Sequence, residues 1–167
     1  MDFEEARNKL QMIEEMLNRM PLINTIEIAY KEVRFMELLI ATHEGLAAGL
    51  MSAHDMLAGK NDQILTIELN DTGIRDFKAR FAKVMNKYQN SQILVLTDLK
   101  NGTPHLVASE YEDMYPERVR VISGVNLPMV LELSHKMINA SLNESTEKAI
   151  QIGRSQIDVD QLAAAKV

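Results

Sequence analysis

From Met36 onward, short apolar runs alternate four times with stretches of helical periodicity, and this alternation constrains the chain more than any other feature. Leu38 to Ala41 reads as a strand; Glu44 to Ala58 carries Leu46, Leu50, Ala53 and Leu57 at helical spacing; Ile64 to Leu69 alternates Leu65, Ile67 and Leu69 against Thr66 and Glu68. A second helical face follows, with Ile74, Phe77, Phe81, Val84 and Tyr88. Then come strand Ile93 to Leu96, a helix opened by Thr103-Pro104, strand Val119 to Ile122, a helix after Asn126, and a last helix from Glu144 to Ile152. Four strand-helix repeats predict an α/β fold, a mostly parallel open sheet with helices on both faces. Leu38-Leu39-Ile40-Ala41 and Ile93-Leu94-Val95-Leu96 are continuously apolar, as strands buried on both faces must be, while the other two strands admit Glu68 and Arg120. The first and third strands therefore belong in the middle. With right-handed crossovers the order becomes 2-1-3-4, and the topological switch point falls between strands 1 and 3.

Residues 1–35 follow another pattern and are expected to form an N-terminal helical extension to a domain spanning 36–167. Phe3, Ala6, Leu10, Ile13, Leu17 and Met20 are spaced 3-4-3-4-3, one stripe of a helix that Pro21 ends. Leu22 to Val33 is ambiguous between a short strand, Thr25 to Ala29, and further helical turns. Met36 is also a candidate start: Lys31-Glu32-Val33 can be encoded by a purine-rich ribosome-binding sequence just upstream of it, although the clean apolar stripe argues for an authentic extension.

Composition narrows the function. With 18 Lys and Arg against 24 Asp and Glu the formal charge is -6, which does not suit nucleic acid or an anionic membrane. Cysteine is absent, removing disulfides, thiolate nucleophiles and Cys-liganded zinc. No stretch approaches the ~18 apolar residues of a membrane span, and the first twenty residues lack the apolar segment of a secretory signal. The expectation is a soluble, cytoplasmic protein whose strongly nucleophilic chemistry rests on its four histidines.

Ligands of an open parallel sheet bind beyond the carboxyl ends of the strands at the switch point. There the first strand ends in Thr42-His43 and the third in Thr97-Asp98. An Asp98 carboxylate accepting from Nδ1-H would leave the Nε2 lone pair of His43 free for attack. Asn101-Gly102-Thr103-Pro104 reads as a turn, a Thr N-cap and a Pro at the first helical position; a helix from Glu44-Gly45 offers a second set of amides; Ser123-Gly124-Val125-Asn126 supplies another cap. Helix N-termini converging on an imidazole suit a phosphoryl group. His54 and His135 read as helix-flank residues, and His105 as a solvent-facing one. Met12, Met16, Met20, Met51 and Met56 read as core filler. No zincin pair, P-loop, nucleophile elbow or dinucleotide fingerprint occurs.

The segments LLIATHEGLAAGLMSAHDMLAG, ILVLTDLKNGTPHLVAS and VISGVNLPMVLEL, in this order and spacing, resemble the mannose-type IIA component of the bacterial phosphoenolpyruvate-dependent sugar phosphotransferase system, over Met36 to about Val159. What the resemblance implies is a homodimeric domain that accepts a phosphoryl group from the phosphocarrier HPr and passes it to a IIB component, with a IIC/IID permease downstream. His43 matches the phosphorylated histidine, Asp98 its partner, and Thr103 a hydroxyl of the cradle; Gly102, Glu44 and Gly45 are the remaining phosphate-binding candidates. Ser155 to Asp160 corresponds to a C-terminal strand exchanged antiparallel between subunits. The chain departs from the pattern at Lys100-Asn101, where the family commonly has an apolar or aromatic residue and then Gly. Neither metal nor organic cofactor is implied. The same domain feeding dihydroxyacetone kinase, or a non-catalytic regulatory module on this scaffold, are the alternatives.

Overall fold

The computed structural model describes residues 3–17, 36–136 and 141–159. The chain divides after Arg34 into two compact units. In the first, α1 (Phe3–Leu17) is a helix on which Leu10 is half-buried while Met12 and Ile13 are exposed. The expected stop at Pro21, the segment Leu22 to Val33, and Asp160 of the C-terminal strand lie outside the described residues.

The second unit runs β1 (Met36–His43), α2 (Leu46–Ala58), β2 (Leu65–Leu69), α3 (Gly73–Lys87), β3 (Gln92–Thr97), α4 (Thr103–Met114), β4 (Val119–Ser123), α5 (Leu127–Lys136) and α6 (Leu142–Ser155). Its sheet is wholly parallel in the order β2-β1-β3-β4. The continuously apolar strands occupy the centre: Leu38 to Ala41 and Ile93 to Leu96 are all fully buried. Their alternate side chains feed two cores. Leu38, Ile40, Leu94 and Leu96 pack with Ala47, Met129, Val130, Leu133, Leu142 and Ala149 of α2, α5 and α6; Leu39, Ala41, Ile93 and Val95 pack with Phe77, Phe81, Met85, Val107 and Ala108 of α3 and α4. Period-2 alternation in a strand thus serves both helical layers.

Several expectations are corrected. The face of α2 is rotated from the Leu46-Leu50-Ala53-Leu57 stripe: Ala47 and His54 are buried, while Leu46 and Leu57 are exposed. The inward face instead runs Ala47, Leu50, Met51 and His54, and at its start the Ala47 amide donates to Thr42 Oγ1. His54 is therefore a core residue, its Nδ1 3.0 Å from Asp55 Oδ1. On α3 Met85 joins the core and Ile74, in the first turn, is exposed. Met12 and Met56 are exposed, whereas Met51 packs half-buried on the core as expected; among the described residues the fully buried methionines are Met36, Met85 and Met129. The last helix begins at Leu142 because Ser141 and Glu144 form a reciprocal capping box. Ser155 ends that helix, and residues 156–159 form no strand in this chain, with Ile157 and Val159 exposed. Among the described residues no helix is long and apolar enough to cross a membrane.

Candidate active site

β1 and β3 are neighbours in register, Ala41 beside Thr97, so the residues that follow, His43 and Asp98, emerge together at the carboxyl edge of the sheet. The His43 main-chain N–H donates to Asp98 Oδ2 at 2.9 Å, and the ring Nδ1 lies 2.7 Å from the same oxygen. A carboxylate only accepts, so Nδ1 carries the proton and Nε2 the lone pair. The imidazole side chain is 46% exposed and the Asp98 side chain 13%, which sets an open ring on a shielded carboxylate. Burial pushes the Asp98 pKa up, but the N–H of His43, its ring and the N–H of Leu99 all donate to the carboxylate and hold it below its ordinary range. The base partner is thus an anion locked in place.

The loop after Asp98 is shaped to approach the ring. Asn101 takes a left-handed φ of 64°, a conformation Asn tolerates better than most residues. Gly102 donates to the Leu99 carbonyl at 3.0 Å, and a Cβ on it would stand 3.1 Å from His43 Cε1. A side chain at this position would crowd the ring and the Leu99 carbonyl, so the ring or the loop would have to give by a few tenths of an ångström. The sequence had Thr103 as the N-cap; the cap is Gly102, with Thr103 the first residue of α4 and Pro104 next. The proline tolerates either of the first two positions because neither amide has an intrahelical acceptor, so spacing alone could not separate them. His105 is half-buried rather than solvent-facing, and its Nδ1 accepts from the Asn101 N–H at 3.4 Å.

The α2 side differs. Glu44 precedes the helix, and its amide donates to the Leu69 carbonyl at 2.9 Å. Gly45 is the N-cap at φ 85°, and the amides of Ala47 and Ala48 are taken by Thr42 Oγ1 (3.1 Å) and Glu68 Oε1 (2.9 Å). Gly45 and Leu46 keep amides without a partner among the described residues. Asn126 caps α5 through Met129 N–H (3.2 Å), and its Nδ2 donates to the Gly153 carbonyl. Sequence reasoning missed Thr42 and Glu68 as parts of the site. Glu68 was visible only as a charge that marked β2 as an edge. Among the described residues no group of three or more His, Asp or Glu is placed to hold a metal ion.

The sequence profile of the phosphotransferase system fructose IIA component family (EIIA-man) matches residues 37–150. The chain belongs to this family. The mannose-specific EIIAB component of Escherichia coli (strain K12) is 29% identical over 126 residues, which are 72% of this chain and 38% of that protein, so this IIA-family chain spans well under half of that relative. The sorbose-specific EIIA component of Lacticaseibacillus casei is 23% identical over 118 residues, 70% of this chain and 85% of that one. Among solved structures, the mannose/sorbose specific IIA subunit from Enterococcus faecalis superposes with a TM-score of 0.70 at 27% identity, covering 77% of this chain and 96% of that one. The matched span contains both His43 and Asp98.

Proposed function

We propose that this IIA-family chain is a cytoplasmic phosphohistidine carrier that accepts a phosphoryl group from phospho-HPr on Nε2 of His43 and passes it to a IIB component during sugar uptake. The observation that carries this reading is the His43-Asp98 pair, 2.7 Å apart with the far nitrogen open. In the step, the Nε2 lone pair forms a bond to phosphorus as the donor's N–P bond breaks, and the bonding pair returns to the donor imidazole. The proton stays on Nδ1, facing Asp98, whose charge offsets the positive charge that grows on the ring. One N–P bond replaces another, so alignment matters more than driving force.

The open start of α4, with Gly102 against the ring and Thr103 after it, supports a cradle for the transferring oxygens, joined by the Gly45 amide from the other side. Glu44 contributes no amide to it, since that N–H is engaged. Exposed Leu46, Leu99 and Leu106 surround this edge in the chain, which supports docking of a protein donor rather than enclosure of a small one. Alternating exposed Ile157 and Val159 support a C-terminal strand that completes itself against a second copy. We assign residues 1–35 to an extension of the carrier domain at 36–167.

The test is labelling with phosphoenolpyruvate, enzyme I and HPr. The chain is expected to take up an acid-labile, base-stable phosphate, and His43→Ala is expected to take up none while keeping its far-UV circular dichroism. A labelled H43A protein, or an unlabelled parent, ends the proposal.

A further inference from the structure

The N-terminus of α2 is partly filled: among the described residues Gly45 and Leu46 keep open amides, while the next two amides are taken by side chains, one of them an anion. Glu68 and Thr42 are register partners across β2 and β1, and their side chains take the consecutive amides of Ala48 and Ala47 at 2.9 and 3.1 Å. The strand end that carries Glu68 is held from behind. Its carbonyl accepts from Arg80 Nη2 at 2.8 Å, Arg80 Nε donates to Asp76 at 2.7 Å, and Asp76 accepts the Thr72 hydroxyl at 2.7 Å. The next carbonyl, that of Leu69, accepts the Glu44 N–H. Leu69 is the register partner of His43. Glu68 is thus one strand across and one residue back from His43, a backbone separation of about 6 Å from ordinary strand spacing and rise, with its side chain on the Thr42 face of the sheet, the α2 side.

We infer that Glu68 is a positioning residue with an electrostatic task, an inference that rests on the carrier reading. Its carboxylate takes the Ala48 amide and sets a fixed negative charge at the start of the helix that follows His43 in the chain. Bringing a phosphoryl dianion onto Nε2 adds charge at the same edge of the sheet as Glu68; onward transfer removes it, as the acceptor bonds phosphorus and the N–P pair returns to Nε2. The carboxylate therefore raises the phosphorylated state relative to the free one and favours donation over retention. A charge inside the Debye length is expected to shift that balance by about three- to ten-fold.

Glu68→Gln separates the two roles, because the amide oxygen still accepts from Ala48 while the charge is gone; Glu68→Ala removes both. The exchange equilibrium between phospho-HPr and the full chain, read by phosphorus NMR, is expected to move toward the phosphorylated chain by about three- to ten-fold in E68Q. Its phosphohistidine is expected to hydrolyse more slowly, and both effects are expected to shrink in about 1 M salt. Titration with inorganic phosphate, followed through the amide signals of Gly45 and Thr103, is expected to show tighter binding in E68Q. E68A is expected to lose thermal stability as well. An E68Q protein matching the parent in equilibrium, hydrolysis and phosphate affinity, with only E68A altered, reduces Glu68 to a helix cap and overturns the inference while the carrier reading stands. An unlabelled parent overturns the carrier reading and the inference with it.

Discussion

Two helices start beside His43, and they start differently. Both have a glycine N-cap with no side-chain bond of its own, Gly45 for α2 and Gly102 for α4. At α4 the glycine is in an extended conformation, φ -69°, and a Cβ added to it would stand 3.1 Å from His43 Cε1. At α2 the glycine is left-handed, with open space around the missing Cβ, and the amides behind it are closed by Thr42 and Glu68. Similar local signals therefore give, among the described residues, a helix start with no side-chain acceptor at α4 and one whose Ala47 and Ala48 amides are taken at α2. The difference lies in the neighbouring strands, not in the helices.

The largest way to probe this asymmetry is through the charge between the two helices. Asp98→Asn is expected to lower the initial rate of phosphoryl acceptance by about 10²-fold, because the amide can donate to Nδ1 and so favours the tautomer with no lone pair on Nε2. Quenched-flow labelling measures it; an unchanged rate removes Asp98 from the mechanism. The third helix start, α5, supplies a structural control. Gly153→Ala places a Cβ 2.2 Å from Met129 Cε and 2.9 Å from its Cγ, beside the Asn126 cap, and is expected to destabilise by about 2 kcal/mol in urea unfolding. Labelling per folded molecule should be retained.

The two capping glycines give the sharpest contrast. Gly102→Ala is expected to slow transfer by about ten-fold with little change in stability, because its Cβ meets His43 Cε1 and the Leu99 carbonyl at 3.1 Å. Gly45→Ala meets nothing within 4 Å but must hold φ at 85°, so it is expected to lose about 1 kcal/mol of stability with a smaller effect on rate. Equal effects at both positions would erase the distinction drawn between the helices.

The smallest effect concerns acid. Burial pushes Asp98 up, its N–H donors outweigh that, and the folded value lies below the ordinary one. The unfolded chain therefore binds this proton first as pH falls. The stabilising contribution is complete above about pH 4 and fades as pH drops through the folded value. The stability gap between the parent and Asp98→Asn should narrow between neutral pH and about pH 3; a gap that widens would mean the carboxylate is not held ionised.

Much of the fold was legible because continuous apolar runs belong to doubly buried strands. Leu38 to Ala41 and Ile93 to Leu96 marked the central pair, and with it the edge where His43 and Asp98 meet. The rotation of α2 was not legible, since its apolar stripe predicted Leu46 and Leu57 inside, while apolar residues on both sides of Leu50 left the face that meets the sheet undetermined. The start of α6 is written in the sequence as Ser141 and Glu144, three apart, the spacing of a capping box. His54 gave no sign of burial, because its place in the core depends on that same helix rotation.

By itself the sequence determined the strand order and brought one histidine and one aspartate to the switch point, because burial on both faces is a property of each residue's own side chain. Which helix-start amides are taken by side chains was decided only in the tertiary structure. That choice depends on where parallel register sets Thr42 and Glu68 against α2, and hydrogen bonds between residues up to 20 positions apart leave no trace in local pattern.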